Sequence, residues 1–171
     1  MAVSNGILDG AAATAISDAG YPPGNTIDGN AATYWHSNGQ SMPHWIRFDL
    51  GAGNAKAGGE YTLRTRPSND QHYFRNFTFE GSNDGTNWTV LDTQTDQVFV
   101  NGVERTFPCS NTTNYRYYRF NITSTSSDYY SCMAEISVAD NTVFDAEPAC
   151  YLRSRRNRMN TKGISTKNSL A

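Results

Sequence analysis

Three observations predict an all-β chain, a sandwich or barrel of short antiparallel strands. Leu, Lys and Glu, the usual helix builders, are scarce. Thr, Ser, Asn and Gly abound, and with 10 Tyr and 8 Phe in 171 residues the composition suits a pleated, half-buried surface. Short segments alternate apolar and polar residues, and Gly- and Asn-rich clusters punctuate them. No long helical stripe and no repeat of about twenty residues or more competes with this reading.

The alternating segments follow in order. His44-Trp45-Ile46-Arg47-Phe48-Asp49-Leu50 sends every second side chain to one face, Tyr61 through Arg66 follows, and Asn76-Phe77-Thr78-Phe79-Glu80 repeats the pattern before the turn Gly81-Ser82-Asn83-Asp84-Gly85. Thr89 through Asp92, Val103 through Phe107, Tyr115 through Thr123 and Met133 through Val138 complete the set, with Tyr118, Phe120 and Ile122 on one face.

Length and charge set the organisation. The chain suffices for one domain with its own core, placed at residues 1–145, followed by an extension over residues 146–171. Residues 1–147 carry all 16 acidic side chains and 8 of the 14 basic ones, a balance of −8; the remainder carries the other six basic side chains and no acid. Arg153, Arg155, Arg156, Arg158, Lys162 and Lys167 sit there among polar residues, as a solvated extension or as an arm that anchors the domain on an acidic partner. No apolar run approaches the roughly 20 residues needed to span a bilayer, and Met1 to Gly20 has neither a basic start nor an apolar centre. No export signal is therefore visible, although a sequence beginning at its mature terminus reads the same way.

The densest local chemistry lies between Asn25 and Ser37. Asp28 and Asn30 offer side-chain oxygens two residues apart, Gly29 permits the sharp backbone that converges them, and Thr33 adds a hydroxyl and a carbonyl. Hard oxygen ligands in a tight loop suit calcium, which takes about 6–8 of them, so more must come from elsewhere in the chain. An Asx turn with no ion is the other reading.

Taken together, Asp28-Gly29-Asn30-x-x-Thr33-x-Trp35, Trp45-Ile46-x-x-Asp49-Leu50-Gly51, Gly81-Ser82-Asn83-Asp84-Gly85-x-x-Trp88, Tyr115 through Phe120 and Ala134-Glu135-Ile136 resemble the discoidin or coagulation factor 5/8 type C family. That family includes family 32 carbohydrate-binding modules, and the resemblance covers roughly residues 8–140. It implies a jelly-roll sandwich of about eight antiparallel strands with binding loops at one end. It also implies that Asp28, Asn30, Thr33 and Glu135, with carbonyls of Asn25 and Ala134, hold a structural calcium ion. In its galactose- and fucose-type members a His and an Arg bond ring hydroxyls beside an aromatic platform, which implies a glycan of galactose-type or related sugar as partner. The matching positions are His36 and Arg66, with Asn69 or Asp70 sharing hydroxyls and Tyr129 and Tyr130 as platform. A loop histidine bonded to backbone and an Arg66–Asp70 ion pair are the competing readings.

The resemblance thus implies a non-catalytic glycan-binding or adhesion module at an extracellular or particle surface. The alternative is a building block of a virion, phage or cell-surface layer docked through Arg153, Arg155, Arg156 and Arg158. No nucleophile elbow, zinc-protease motif, P-loop or dinucleotide fingerprint occurs, and no sequence-specific nucleic-acid partner is indicated. Cys109, Cys132 and Cys150 are widely spaced and give no disulfide framework. Cys109 and Cys132 can pair across neighbouring strands or remain thiols. Sequons at Asn76, Asn87, Asn111 and Asn121 matter only in a glycosylating secretory route.

Overall fold

Alternation becomes burial most cleanly in the strand His44–Asp49, where His44, Ile46 and Phe48 are buried and Trp45, Arg47 and Asp49 face outward. In the computed structural model, which describes residues 4–39, 41–68, 72–127 and 129–142, ten strands form in chain order. They are β1 (Ala12–Ala15), β2 (Trp35–His36), β3 (His44–Asp49), β4 (Gly58–Arg64) and β5 (Phe74–Ser82). Then come β6 (Thr89–Gln94), β7 (Glu104–Phe107), β8 (Tyr117–Thr125), β9 (Cys132–Met133) and β10 (Glu135–Asp140). A short 3-10 turn spans Pro23–Ile27.

A five-stranded antiparallel sheet in the order β1-β3-β8-β5-β6 faces a three-stranded antiparallel sheet in the order β10-β4-β7, and β2 pairs with β9 alongside. The eight strands of the two facing sheets match the jelly-roll expectation. Several expected boundaries shift. β4 begins at Gly58 rather than Tyr61 and ends at Arg64, so Arg66 lies beyond its strand; β7 starts after Val103, and β8 after Arg116. Gly81 and Ser82, expected in a turn, extend β5, because they pair with Tyr118 and Tyr117 of β8.

Aromatic rings fill the space between the sheets. Tyr61 of β4 stacks on Phe107 of β7 at 5.2 Å between centroids, and meets Phe79 of β5 at 4.8 Å and Phe120 of β8 at 5.2 Å. Each such fully buried ring contributes on the order of 1.5–3 kcal/mol through area alone. Two buried phenols need polar partners. Tyr61 donates to Asp92, whereas the Tyr118 hydroxyl accepts from Gly58 N at 2.6 Å and donates to the Lys56 carbonyl, and burial pushes its pKa up to about 12.

The N-terminal segment closes the sandwich. Ile7 N donates to Val138 O and Val138 N to Asn5 O, laying residues 5–7 beside β10. Gly6, at φ +68°, makes this possible, since a Cβ there would overlap the Val138 carbonyl. Cys109 and Cys132 are both thiols, with no bond between them. Among the described residues no helix is long and apolar enough to cross a membrane.

Candidate functional site

Two groups of polar side chains meet at the end of the sandwich where β4 ends and β10 begins, opposite each other as the pair Arg64 and Glu135. The first group centres on the loop after the 3-10 turn. Gly29 sits at φ +70°, and the turn it allows lets Asp28 Oδ1 accept from Asn30 N at 2.8 Å while Oδ2 accepts from the Thr33 hydroxyl at 2.7 Å. Asn30 Oδ1 accepts from Ala32 N, so the Asx-turn geometry is present in full. Asn25 sends its side chain to the Tyr34 carbonyl, and Ala134 is buried with its N–H on Arg64 O.

Glu135 adds what a turn alone does not require. Burial raises its pKa; the Asp28 carboxylate beside it raises it further, against the Asn5 side-chain N–H that donates to Oε2 at 3.0 Å. Its other oxygen, Oε1, is buried with no hydrogen-bond partner among the described residues. Two carboxylates side by side, one with an orphaned oxygen, form a donor set that no ion pair among the described residues neutralises, Arg64 opposite Glu135 being bonded to Glu104. Asn5, 2% exposed, also donates to Ile136 O, and so ties the N-terminal segment to this corner. The sequence reading missed Asn5, whose role depends on a bridge between opposite ends of the chain.

The second group is aromatic. His36, His72 and Tyr130 form a triangle of rings with centroids 5.0–5.2 Å apart, and Tyr129 stands edge-on to Tyr130 at 4.6 Å. On the other flank Tyr21 stacks on Tyr34 at 4.6 Å, and the Arg66 guanidinium lies 5.4 Å from the Tyr34 ring centre. The bond that the Tyr34 hydroxyl donates to Tyr21 raises the Tyr34 pKa, with burial adding to it and Arg66 opposing. His36 Nδ1 is 2.8 Å from the Ser37 carbonyl, so Nδ1 carries the proton and Nε2 is the ring's acceptor. The backbone-bonded histidine anticipated from the sequence is therefore present and still leaves one nitrogen for a ligand.

A buried polar brace holds this group together. Ser37 and Ser131 exchange two bonds, Ser37 N to Ser131 O at 2.9 Å and Ser131 N to Ser37 Oγ at 2.8 Å, and the buried His44 ring lies 2.9 Å from Ser131 Oγ. Because Ser37 follows His36 and Ser131 follows Tyr130, the brace fixes both rings where β2 ends and the chain enters its partner β9. Cys132 N donates to His72 O, which brings in the third ring.

Of the expected sugar residues, His36, Arg66, Tyr129 and Tyr130 thus reach one end of the fold. Asn69, Asp70 and the tail arginines Arg153, Arg155, Arg156 and Arg158 lie outside the described residues. The sequence reading overlooked Tyr21, Tyr34 and His72. Tyr34 was readable from its place between Thr33 and Trp35, but Tyr21 and His72 carried no spacing that linked them to His36.

The model of a family described as the F5/8 type C domain matches residues 11–136. No curated protein sequence matches the chain. Among solved structures, chitosan-binding module 2 of a chitosanase/glucanase from Paenibacillus sp. IK-5, in complex with chitotriose, is 26% identical with a TM-score of 0.64, over 75% of this chain and 95% of that one. The family 32 module of AlyQ, in complex with 4,5-unsaturated mannuronic acid, is 26% identical with a TM-score of 0.60, over 79% and 95%. A family 32 module of NanJ from C. perfringens, in complex with galactose, shares the fold at a TM-score of 0.66 and 20% identity, over 77% and 94%.

Proposed function

Because the chain belongs to the F5/8 type C domain family, we propose that it is a non-catalytic carbohydrate-binding module that holds a glycan at the loop end and is braced there by calcium. The observation that carries this reading is the convergence of His36, Arg66, Tyr34, His72 and Tyr130 on one end of the sandwich. His36 Nε2 accepts a sugar hydroxyl, the Arg66 N–H groups donate to ring or hydroxyl oxygens, and the exposed Tyr129 with its neighbour Tyr130 offers a face for apolar C–H groups. Relatives that carry chitotriose and an unsaturated mannuronic acid support a sugar as ligand.

Asp28, Asn30, Thr33 and Glu135 fit a calcium ion, with the carbonyls of Asn25 and Ala134 as further donors. The orphaned Glu135 Oε1 beside the Asp28 carboxylate supports the fit. When bound, the ion supplies the charge that offsets these carboxylates and ties the loop to β10. The loop residues also position the sugar site, since Asn25 holds the Tyr34 carbonyl and Tyr34 faces Arg66. Glycosidase chemistry with Asp28 and Glu135 is disfavoured, because carboxylates lying against each other leave no room for a glycosidic bond between them.

A glycan array with and without chelator tests the reading, followed by His36→Ala and Arg66→Ala on the best ligand. Each substitution should weaken binding by about 10–100-fold, the equivalent of one lost charge-assisted or well-placed hydrogen bond, with the fold intact. Unchanged affinity in both variants would place the site elsewhere. Failure of every sugar, with loss of particle incorporation on deleting residues 148–171, would favour a surface-assembly role through the basic tail.

A further inference from the structure

The outward face of the five-stranded sheet carries a second cluster that the loop-end site does not use. Across the middle of that face the register sets Thr14, Arg47, Arg119 and Glu80 side by side on β1, β3, β8 and β5. Arg47 and Arg119 are direct cross-strand partners, an arrangement of like charges that opposes pairing. Of the two, Arg119 takes the adjacent carboxylate: its Nε donates to Glu80 Oε2, and its guanidinium lies 4.2 Å from the Trp88 ring centre. Arg47 makes no ion pair among the described residues. Its Nε reaches Thr14 Oγ1 at 3.3 Å, and its guanidinium lies 5.7 Å from the Trp45 ring and 5.9 Å from Tyr117. Trp45, Arg47, Gly85, Trp88 and Arg119 line an open cleft of about 180 Å³.

We propose that this cleft is a second carbohydrate site, selective for a sugar residue that bears an anionic group. The terminal N–H groups of Arg47 take the carboxylate or sulfate as a forked pair, and the apolar C–H face of the ring rests on indole. A neutral sugar offers no such pair and gains less, because Asp49, whose charge also acts on Arg47, is already held through both oxygens by Arg116. The proposal stands independently of the loop-end site, because none of its residues belongs to that site.

Tryptophan fluorescence reads the cleft, since Trp45 and Trp88 are half-exposed whereas the third indole, Trp35, is fully buried. The purified chain is titrated with trigalacturonate, a sulfated disaccharide, neutral chitotriose and a glutamate-rich hexapeptide. Saturable quenching by the acidic sugars is expected, weakening as salt rises. Arg47→Gln should reduce that affinity at least tenfold at unchanged Tm, Arg47→Lys should reduce it less, and His36→Ala should leave it unaltered. Quenching by either acidic sugar alone, if lost in Arg47→Gln, supports the site and names the anion it prefers. The proposal is overturned if neither acidic sugar saturates the wild-type protein, or if Arg47→Gln binds as tightly as wild type. It is equally overturned if His36→Ala abolishes the signal, which would assign acidic sugars to the loop end, or if the peptide binds as well as the sugars, which would make the cleft a protein-docking site.

Discussion

Replacing Glu135 with Gln separates two opposite contributions of one carboxylate. Without a cation, Glu135 is unfavourable where it stands: Oε1 is buried with no hydrogen-bond partner among the described residues, and Asp28 beside it opposes ionisation. Gln keeps an acceptor for the Asn5 amide and turns the orphaned oxygen into an N–H that faces a carboxylate. In chelator the variant should therefore melt at the wild-type temperature or above it. Calcium reverses the order. A cation that binds only the folded state adds RT ln(1 + [L]/Kd), about 2.7 kcal/mol at a hundredfold excess over Kd. At roughly 2–4 °C per kcal/mol for a domain of this size, the wild-type Tm should rise by about 5–11 °C. With one of its two carboxylates gone, the variant should rise by no more than about 2 °C at the same calcium concentration. Calorimetric scans in EDTA and in calcium read both effects. A wild-type protein that melts at one temperature in both buffers, or a variant that keeps the full calcium shift, refutes the ion assignment. A variant that melts lower than wild type in chelator refutes the carboxylate argument.

Tyr118→Phe removes the acceptor of the buried Gly58 N–H and should cost about 1–3 kcal/mol, read as a lower denaturation midpoint at unchanged m-value; a wild-type midpoint would show that Gly58 finds another partner. The Lys56 ammonium, 2.7 Å away, holds Asp140 down at about 2, below the roughly 3.9 of an unfolded Asp. The pair therefore stabilises the fold above that unfolded value, and its contribution is lost as pH falls through the folded one. Asp140→Asn should flatten the loss of stability between about pH 4 and pH 2, while costing under about 1 kcal/mol at neutral pH because both groups are partly exposed. Acid titrations that superimpose for the two proteins would show that the pair contributes nothing.

Period-two alternation was enough to locate the long strands of the sandwich. Ile46 and Phe48, Phe77 and Phe79, Tyr118, Phe120 and Ile122 all point inward as their spacing requires. β1 escaped because Ala12-Ala13-Thr14-Ala15 has no bulky apolar face; its pairing with β3, Ala13 opposite Phe48, is what makes it a strand. β2 escaped because two residues carry no period, and β9 was merged through Met133 with the strand expected over Met133–Val138, which breaks at Ala134. β4 begins earlier than its first large side chain because Gly58 pairs with Asp140 at the far end of β10.

The sequence by itself determined the fold class, the family and the loop from Asp28 to Thr33, because each rests on residues a few positions apart whose geometry is local. Tertiary structure decided what those residues meet. Only the docking of the N-terminal segment and of the Asp28 loop against β10 sets Glu135 beside Asn5 and Asp28, only the β2–β9 pair brings His36 to Tyr130 and His72, and only the β3–β8 register sets Arg47 opposite Arg119. Local spacing limits which side chains share a face. Which distant side chain arrives opposite them depends on how whole strands pair, and that is settled by packing the entire core at once.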